Sequence, residues 1–409
     1  MMKKNMIKLA AGAATVLLMA TSAHAGYTMK KKVGDVDTKL TFFGFAQLEA
    51  VGGNGMKLKY AEDGAGTRVG TNSGSDINFR AQRIRLGWKY VAGNVRGKVF
   101  LDFNQGHDSQ GATDGAAVPK MIKDAFIAYK FNNAFIPKLG VIKMPNGMGF
   151  TMPGWNLDIA ERGFDKALVL ERNMGLMISG RGIGFSGNKV NGFEMGHERP
   201  WKGFGYDVMV ANQANRSKAV KKTSGMGGNS YAVRGMFDYT EKFHIEASYA
   251  VSENAAGYVA TGATSADNQD YSNINVGIDS NLGKLSLKAE YFDASNVQGI
   301  KNWDENVYTA TAGYFVTPAV EAVVKHMQGT SDKPGVSSTD LGNTYLGLNI
   351  FMSMPYSDFS RKAKRTRNQH KIVLNYIVAS GDTDGSSNPW NGLSGYKDDA
   401  FIAQYQFKF

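Results

Sequence analysis

Residues 398–409 read "DDAFIAQYQFKF", and the last nine of them alternate without a break. Phe401, Ala403, Tyr405, Phe407 and Phe409 fall on one side of an extended chain, with Ile402, Gln404, Gln406 and Lys408 on the other. Successive side chains of a strand point to opposite faces. The chain therefore ends on a two-faced strand, aromatic on one side, with a phenylalanine at its tip.

The same period recurs along the chain. Val95, Gly97, Val99, Leu101 and Phe103 oppose Arg96, Lys98, Phe100 and Asp102; Phe243, Ile245, Ala247, Tyr249 and Val251 oppose His244, Glu246 and Ser248. Sixteen segments carry the pattern: 39–51, 77–90, 94–104, 121–131, 136–144, 175–185, 203–213, 230–240, 243–252, 271–280, 283–293, 305–316, 318–328, 343–352, 369–380 and 398–409. Their connections mostly alternate tight turns with long Gly-, Ser-, Asn- and Asp-rich loops. Strands of about ten residues, an even count, and short turns alternating with long loops describe a transmembrane antiparallel β-barrel with periplasmic turns and extracellular loops. Connections 186–202 and 353–368 are too long for turns, and either has room for a further strand pair.

A soluble sandwich or propeller has strands of the same pattern. The lopsided loop lengths, the absence of a blade-length repeat and aromatics at strand ends (Tyr90, Phe103, Phe131, Tyr239, Phe243, Phe315, Phe409) favour the membrane barrel, where such rings form interfacial girdles. Unpaired backbone is not tolerated in lipid, so a barrel closes first strand to last. Strand 398–409 is then expected beside 39–51, whose lipid side is Leu40, Phe42, Gly44, Ala46 and Leu48.

The other terminus agrees. Residues 1–25 carry Lys3, Lys4 and Lys8, an apolar run from Leu9 to Ala20, and "SAHA" before Gly26. This is the pattern of a cleaved secretory signal peptide; the apolar run falls short of the ~20 residues a spanning helix needs. Its removal takes the formal charge from +11 to +8 and leaves 26–409 as one barrel domain. There are no cysteines, which excludes disulfides and thiolate chemistry. Gly is frequent (49), Pro scarce (9), and the mean hydropathy of −0.30 suits strands apolar on one face only.

Once lipid faces are set, the lumenal residues follow. In "NFRAQRIRLGWKY", Ile84, Leu86, Trp88 and Tyr90 face lipid, and Arg83, Arg85 and Lys89 face inward. The next strand adds Arg96 and Lys98, against Asp102. Lys130, Lys143, Arg181, Arg234, Lys288, Lys325 and Lys371 follow; inward acids (Glu49, Asp124, Asp238, Glu246, Glu290, Glu321) are fewer and scattered. Two unit charges 4 Å apart interact by ~1 kcal/mol in water but ~4 at an effective dielectric of 20. A cationic cluster inside a low-dielectric wall therefore favours anions, unless the inward acids cancel it. The third long loop, 145–174, is too long for a mere connection. It holds Arg162, Lys166 and Arg172, and "LDIAERGFDKALVLE" has apolar spacing for a short helix. A solvated loop outside the barrel is the alternative. The basic run "RKAKRTR" (361–367) reads as a solvated turn or a rim facing lipopolysaccharide phosphates. It is assigned neither a site nor nucleic-acid binding.

Two other classes compete with a channel. An outer-membrane enzyme needs a nucleophile beside a base, and His107, His197, His244, His326 and His370 form no such motif. No metal-ligand spacing or cofactor motif appears. A structural or adhesin barrel needs no pore. An active transporter needs a plug domain, and only residues 26–38 precede the first expected strand.

Residues 76–213 resemble the phosphate-selective porins O and P. The resemblance lies in "FRAQRIRLGWKYVAGNVRGKVFLDFN", "IKDAFIAYKFNNAFIPKLGVIKMPNGMGF", "LERNMGLMISGRG" and "GYDVMVANQ". It implies a sixteen-stranded, trimeric anion channel of the Gram-negative outer membrane, lined by an arginine ladder and a lysine cluster that bind phosphate. Arg83, Arg85, Arg96, Lys98 and Lys143 fall on matching motif positions. The second half lacks the remaining ladder arginines, Arg234 being its one strand arginine, so general anion preference is the firmer expectation. The third loop of general porins folds into the barrel. By that likeness Arg162 and Lys166 are expected near the constriction, with Arg181 completing the basic lining. The aromatic C-terminal strand is similar to the signal read by the barrel assembly machinery. Expected partners are inorganic anions, outer-membrane lipid and lipopolysaccharide.

Overall fold

The computed structural model describes residues 27–52, 77–104, 121–184, 199–200, 202–213, 219–220, 228–240, 242–255, 268–335, 337–352, 359, 368–381, 395–396 and 399–409. The expected signal peptide, the "RKAKRTR" run, His107, His197 and the bulk of connections 186–202 and 353–368 lie outside these residues.

Among the described residues, seventeen strands form one sheet. They are β1 (Tyr27–Val33), β2 (Val36–Gly52), β3 (Asn78–Ala92), β4 (Val95–Asp102), β5 (Ile122–Tyr129), β6 (Ile136–Lys143), β7 (Arg172–Ile183), β8 (Gly203–Asn212) and β9 (Asn229–Thr240). The second half holds β10 (Phe243–Ser252), β11 (Tyr271–Leu282), β12 (Leu285–Ser295), β13 (Asp304–Thr317), β14 (Val320–Asp332), β15 (Thr339–Phe351), β16 (His370–Gly381) and β17 (Ala400–Lys408). Each neighbouring pair is antiparallel, and β17 returns to β2 with Ile402 opposite Val51 and Phe407 opposite Ala46. β2 to β17 thus close a sixteen-stranded barrel, one strand for each expected segment.

β1 was not expected. It pairs with β2 through a two-residue turn at Gly34–Asp35, Tyr27 opposite Phe42 and Val33 opposite Val36. Gly34 has φ 59°, the left-handed geometry that tight hairpin turns use. Lys30, Lys31 and Lys32 in a row hide the alternation there. β1 lies on the edge of β2 that β17 also uses, beyond the pairing of Phe409 with Gly44. It prolongs the line of β17 at the short-turn end, which is periplasmic in barrels of this kind.

The outward face is apolar, as the alternation requires. Tyr231, Tyr249, Tyr291, Tyr308 and Tyr376 are exposed toward the long-loop end, and Tyr90, Tyr239, Phe243 and Tyr314 toward the short-turn end. These are the two girdles of a membrane barrel. The inward face is not simply polar. Phe292, Val307, Val323, Met327, Tyr345, Val373, Ile377 and Ile402 point inward and form one core with Ile159, Ala160, Leu168, Val169 and Leu170 of the third long loop. One half of the barrel, from β11 round to β17, is therefore packed with side chains, which alternation alone does not foretell.

Candidate functional site

The third long loop (L3) runs from 144 to 171, because β7 already begins at Arg172. Its polar groups bond across the lumen. Asn146 reaches Asn273 at 2.7 Å, the Gly149 amide reaches Glu290 at 2.9 Å, and Lys371 donates to the Leu157 carbonyl at 2.7 Å. Asn349 donates to the Asp158 carbonyl at 2.9 Å, and Ala160 bonds Asn375 and Gln404 at 2.9 Å each. Because these backbone groups pair with the wall, they do not pair with each other. The helix expected within 157–171 is only a 3-10 turn at Phe164–Leu168, and a second short turn spans Met148–Thr151.

L3 sends two of its carboxylates away from its basic base, Asp158 to the far wall and Glu161 to the long-loop end of β3. Asp158 pairs with Lys288 (2.5 Å), and Glu161 pairs with Arg80 and takes the Tyr396 hydroxyl at 3.1 Å. Arg80 also holds Glu49 at 2.8 Å. It was missing from the sequence reading because a bulge intervenes. Arg83 opposes Gln47, yet Ala81 opposes Leu48 and Arg80 opposes Glu49. The extra Gln82 reverses the parity and turns Arg80 inward. A second bulge between Asp124 and Ile122 turns Lys123 inward beside Asp124, and Lys123 is 6% exposed.

The near wall, β3 to β7 with the base of L3, is basic. Arg85 donates to Asp102 at 2.8 Å, Lys98 pairs with Asp124, and Arg172 reaches Asp124 at 3.2 Å. Lys123 stands 3.9 Å from Asp102. Lys166 pairs with Glu171 at 2.6 Å. Arg83 donates to the neutral Gln47 at 2.5 Å. Lys143 and Arg162 donate to L3 carbonyls between Gly149 and Met152. Lys143, Arg162 and Arg172 all lie within 4.5–5.9 Å of the Phe150 ring centroid, so one quadrupole supports three like charges. Among the described residues, eight cations cluster here (Arg83, Arg85, Lys98, Lys123, Lys143, Arg162, Lys166, Arg172); three carboxylates (Asp102, Asp124, Glu171) ion-pair with five of them, and Asp165 also acts on Arg162. The Arg85 and Arg172 carboxylate bonds use only Nε, which leaves their terminal nitrogens as donors.

The crowding shows in the loop. Burial, then repulsion from Arg83, Arg172 and Arg85, pushes Arg162 down to about 9. Burial by itself raises the Glu171 carboxyl, but Lys166, Lys123 and Arg172 more than reverse this and hold it well below the usual carboxylate range.

The other expected site residues stand apart. Arg181 makes two 2.9 Å bonds to Asp207, which also takes Arg234. Its charge is balanced within a buried network that includes His244, set between Asp238 (2.6 Å) and Glu246 (2.9 Å). Arg96 bonds the Gly93 and Val95 carbonyls at the short-turn end. Lys89 lies 4.7 Å from the Phe43 ring. Among the described residues no group of three or more His, Asp or Glu side chains is placed to hold a metal. His326 touches Thr344 at 2.9 Å and lies near Tyr308.

A closed antiparallel barrel with an apolar outer face and a loop folded across its lumen is the architecture of an outer-membrane channel. A family profile described as Gram-negative porin matches residues 10–349. The chain belongs to that family, and it is an outer-membrane β-barrel channel. A search of curated sequences finds no match. Among solved structures it is similar to Salmonella typhi OmpF (TM-score 0.57, 13% identity, 93% of this chain and 100% of that one). It is also similar to an anion-selective porin from Comamonas acidovorans (0.54, 13%, 91% and 100%) and to the trimer form of OmpT of Vibrio cholerae (0.53, 11%, 91% and 99%).

Proposed function

We propose that this porin is a passive diffusion channel for small hydrophilic solutes that prefers anions, phosphate among them. The observation that carries the reading is the charge separation across L3. Asp158 of the loop turns to the packed far wall and Glu161 to Arg80, and the cluster on the near wall keeps more cations than carboxylates, with the terminal nitrogens of Arg85 and Arg172 as donors. Such a field concentrates anions in a low-dielectric passage. Forked guanidinium donors suit the oxygens of phosphate and carboxylates equally. Arg83, Arg85, Lys98, Lys143, Arg162 and Lys166 belong to this wall. Lys89 and Arg96 extend it toward the short-turn end, and Arg181 contributes little because Asp207 balances it. The resemblance to the phosphate-selective porins rests on residues 76–213, about a third of the chain, so phosphate is one anion among several in this reading. The test is a titration of phosphate into the chloride current of reconstituted channels. A current that falls saturably supports a phosphate site, and a current that simply adds phosphate conductance supports a general anion pore.

The same reading includes export through cleavage after residue 25, a single barrel domain over 26–409, contact with lipopolysaccharide at the outer rim and insertion by the barrel assembly machinery through Phe409. It also includes a homotrimer. β4, β5 and β6 have 8 residues each, whereas a lipid-bathed strand needs ~9–11. Their outward residues, among them Ile127 and Leu139, are better covered by a second subunit than by lipid. Crosslinking of the native membrane form tests this.

A further inference from the structure

We infer that Trp155, at the tip of L3, is a positioning residue for Arg83 and Arg85, two of the cations that give the passage its charge. This rests on the anion preference proposed above. The Trp155 ring is 7% exposed and packs edge-on against Phe45 (centroids 5.2 Å) and Phe100 (6.3 Å). Its own carbonyl accepts from Gln406 at 3.0 Å. The guanidinium of Arg85 lies over both of those phenylalanines, 5.5 Å from Phe45 and 5.9 Å from Phe100. The ring cluster that Trp155 completes is therefore the platform on which Arg85 rests.

Arg83 is held by a second route from the same tip. Its Nη1 donates to Gln47 Oε1 at 2.5 Å, and Gln47 Nε2 donates to the carbonyl of Gly154 at 3.1 Å and to Gln406 Oε1 at 2.6 Å. The Gly154 backbone also lies against the arginine, since a β-carbon there would sit 3.4 Å from Arg83 Cδ and Nε. Arg83, Gln47, Gly154, Gln406 and the Trp155 carbonyl form one chain of contacts.

An L3 tip that lifts from the wall removes the support of both guanidinium groups at once. Their charge stays in the barrel, but their donors no longer point at the same place. A residue that only stabilised the barrel has no such effect on selectivity. Oriented donors act where fixed geometry meets the ion, whereas disordered charge acts only through the mean field.

The test is the reversal potential of reconstituted single channels in a potassium chloride gradient, for the wild type, Trp155→Ala, Trp155→Phe and Gln47→Met. The expected result is an anion-selective wild type, a chloride-to-potassium permeability ratio lowered several-fold in Trp155→Ala with about two-fold higher conductance, and near-wild-type values in Trp155→Phe. Gln47→Met keeps the ring cluster, cuts the polar relay, and is expected to lower the ratio in part. Single channels report only folded barrels, so a lower yield of Trp155→Ala leaves the comparison intact. An anion-selective wild type whose ratio is unchanged in both Trp155→Ala and Gln47→Met overturns the positioning role. A wild type without anion preference overturns the underlying reading instead.

Discussion

The ring of Phe409, the last residue, is seated on Gly44. A β-carbon at Gly44 would come within 2.6 Å of the Phe409 Cζ and within 2.6 Å of the Arg85 carbonyl. The two residues also exchange both backbone bonds, at 2.9 and 3.0 Å. At this end of the seam an aromatic ring is thus fitted over a position that carries no side chain. Closure matters because an open strand edge in lipid leaves backbone groups without partners.

Gly44→Val is therefore expected to displace Phe409 and fray the seam. The folded fraction in detergent micelles, read by resistance to unfolding in unheated electrophoresis, should fall, and the rate of insertion into lipid vesicles should fall with it. Phe409→Ala leaves Gly44 free and should show the milder version of the same defect.

Lys123 and Arg181 are both buried lumenal cations, and their neighbours set them apart. Lys123 has a 3.9 Å contact with Asp102, which also binds Arg85, whereas Arg181 makes two 2.9 Å bonds to Asp207 in a network where Glu246 also meets Arg234. Lys123→Gln should lower the chloride preference by roughly a factor of two or more, and Arg181→Gln should leave it nearly unchanged. Reversal potentials of the two variants, side by side, check the contrast.

Arg162 supplies a pH dependence. An arginine is ordinarily charged at any accessible pH, but burial and the repulsion of Arg83, Arg172 and Arg85 bring Arg162 down to about 9. Protonation is the charged state, so raising the pH through that value removes one positive charge from the passage. Anion selectivity should decline between roughly pH 8 and 10, and the alkaline decline should vanish in Arg162→Gln. Reversal potentials measured across that range decide it.

Arg80 on β3 holds Glu49 of β2 and Glu161 of L3 together. Arg80→Met removes the cation that two nearly buried carboxylates share. Because the arginine is 29% exposed, water screens part of the loss, and the expected cost is about 1–3 kcal/mol. The unfolding midpoint in denaturant measures it, and a second substitution, Glu161→Gln, should recover part of the loss.

The fold was legible wherever alternation survived. Each of β2 to β17 sits on an expected segment, and Phe401 to Lys408 divide between the two faces as read. β1 was not legible, because Lys30, Lys31 and Lys32 mask its period. Arg80 and Lys123 were missed for a geometric reason. A bulge adds one residue and breaks the parity that assigns faces, and neither Gln82 nor Lys123, the extra residues, announces one. The far half of the lumen was missed because Phe292, Val323 and Tyr345 occupy inward positions that alternation labels polar, and only the apolar side of L3 explains them. Within the basic wall, the types and positions of Arg83, Arg85, Lys98 and Lys143 were readable. What they touch was not: Lys143 spends its donors on L3 carbonyls, and Arg85 spends one on Asp102.

If the near wall of this porin selects for anions, the reversal potential of the wild-type channel in a potassium chloride gradient shows it. The expected potential has the sign set by chloride and weakens when Arg83, Arg85 and Lys123 are replaced together by glutamine. A potential of the sign set by potassium, or one of chloride sign that the triple replacement leaves untouched, contradicts that selection.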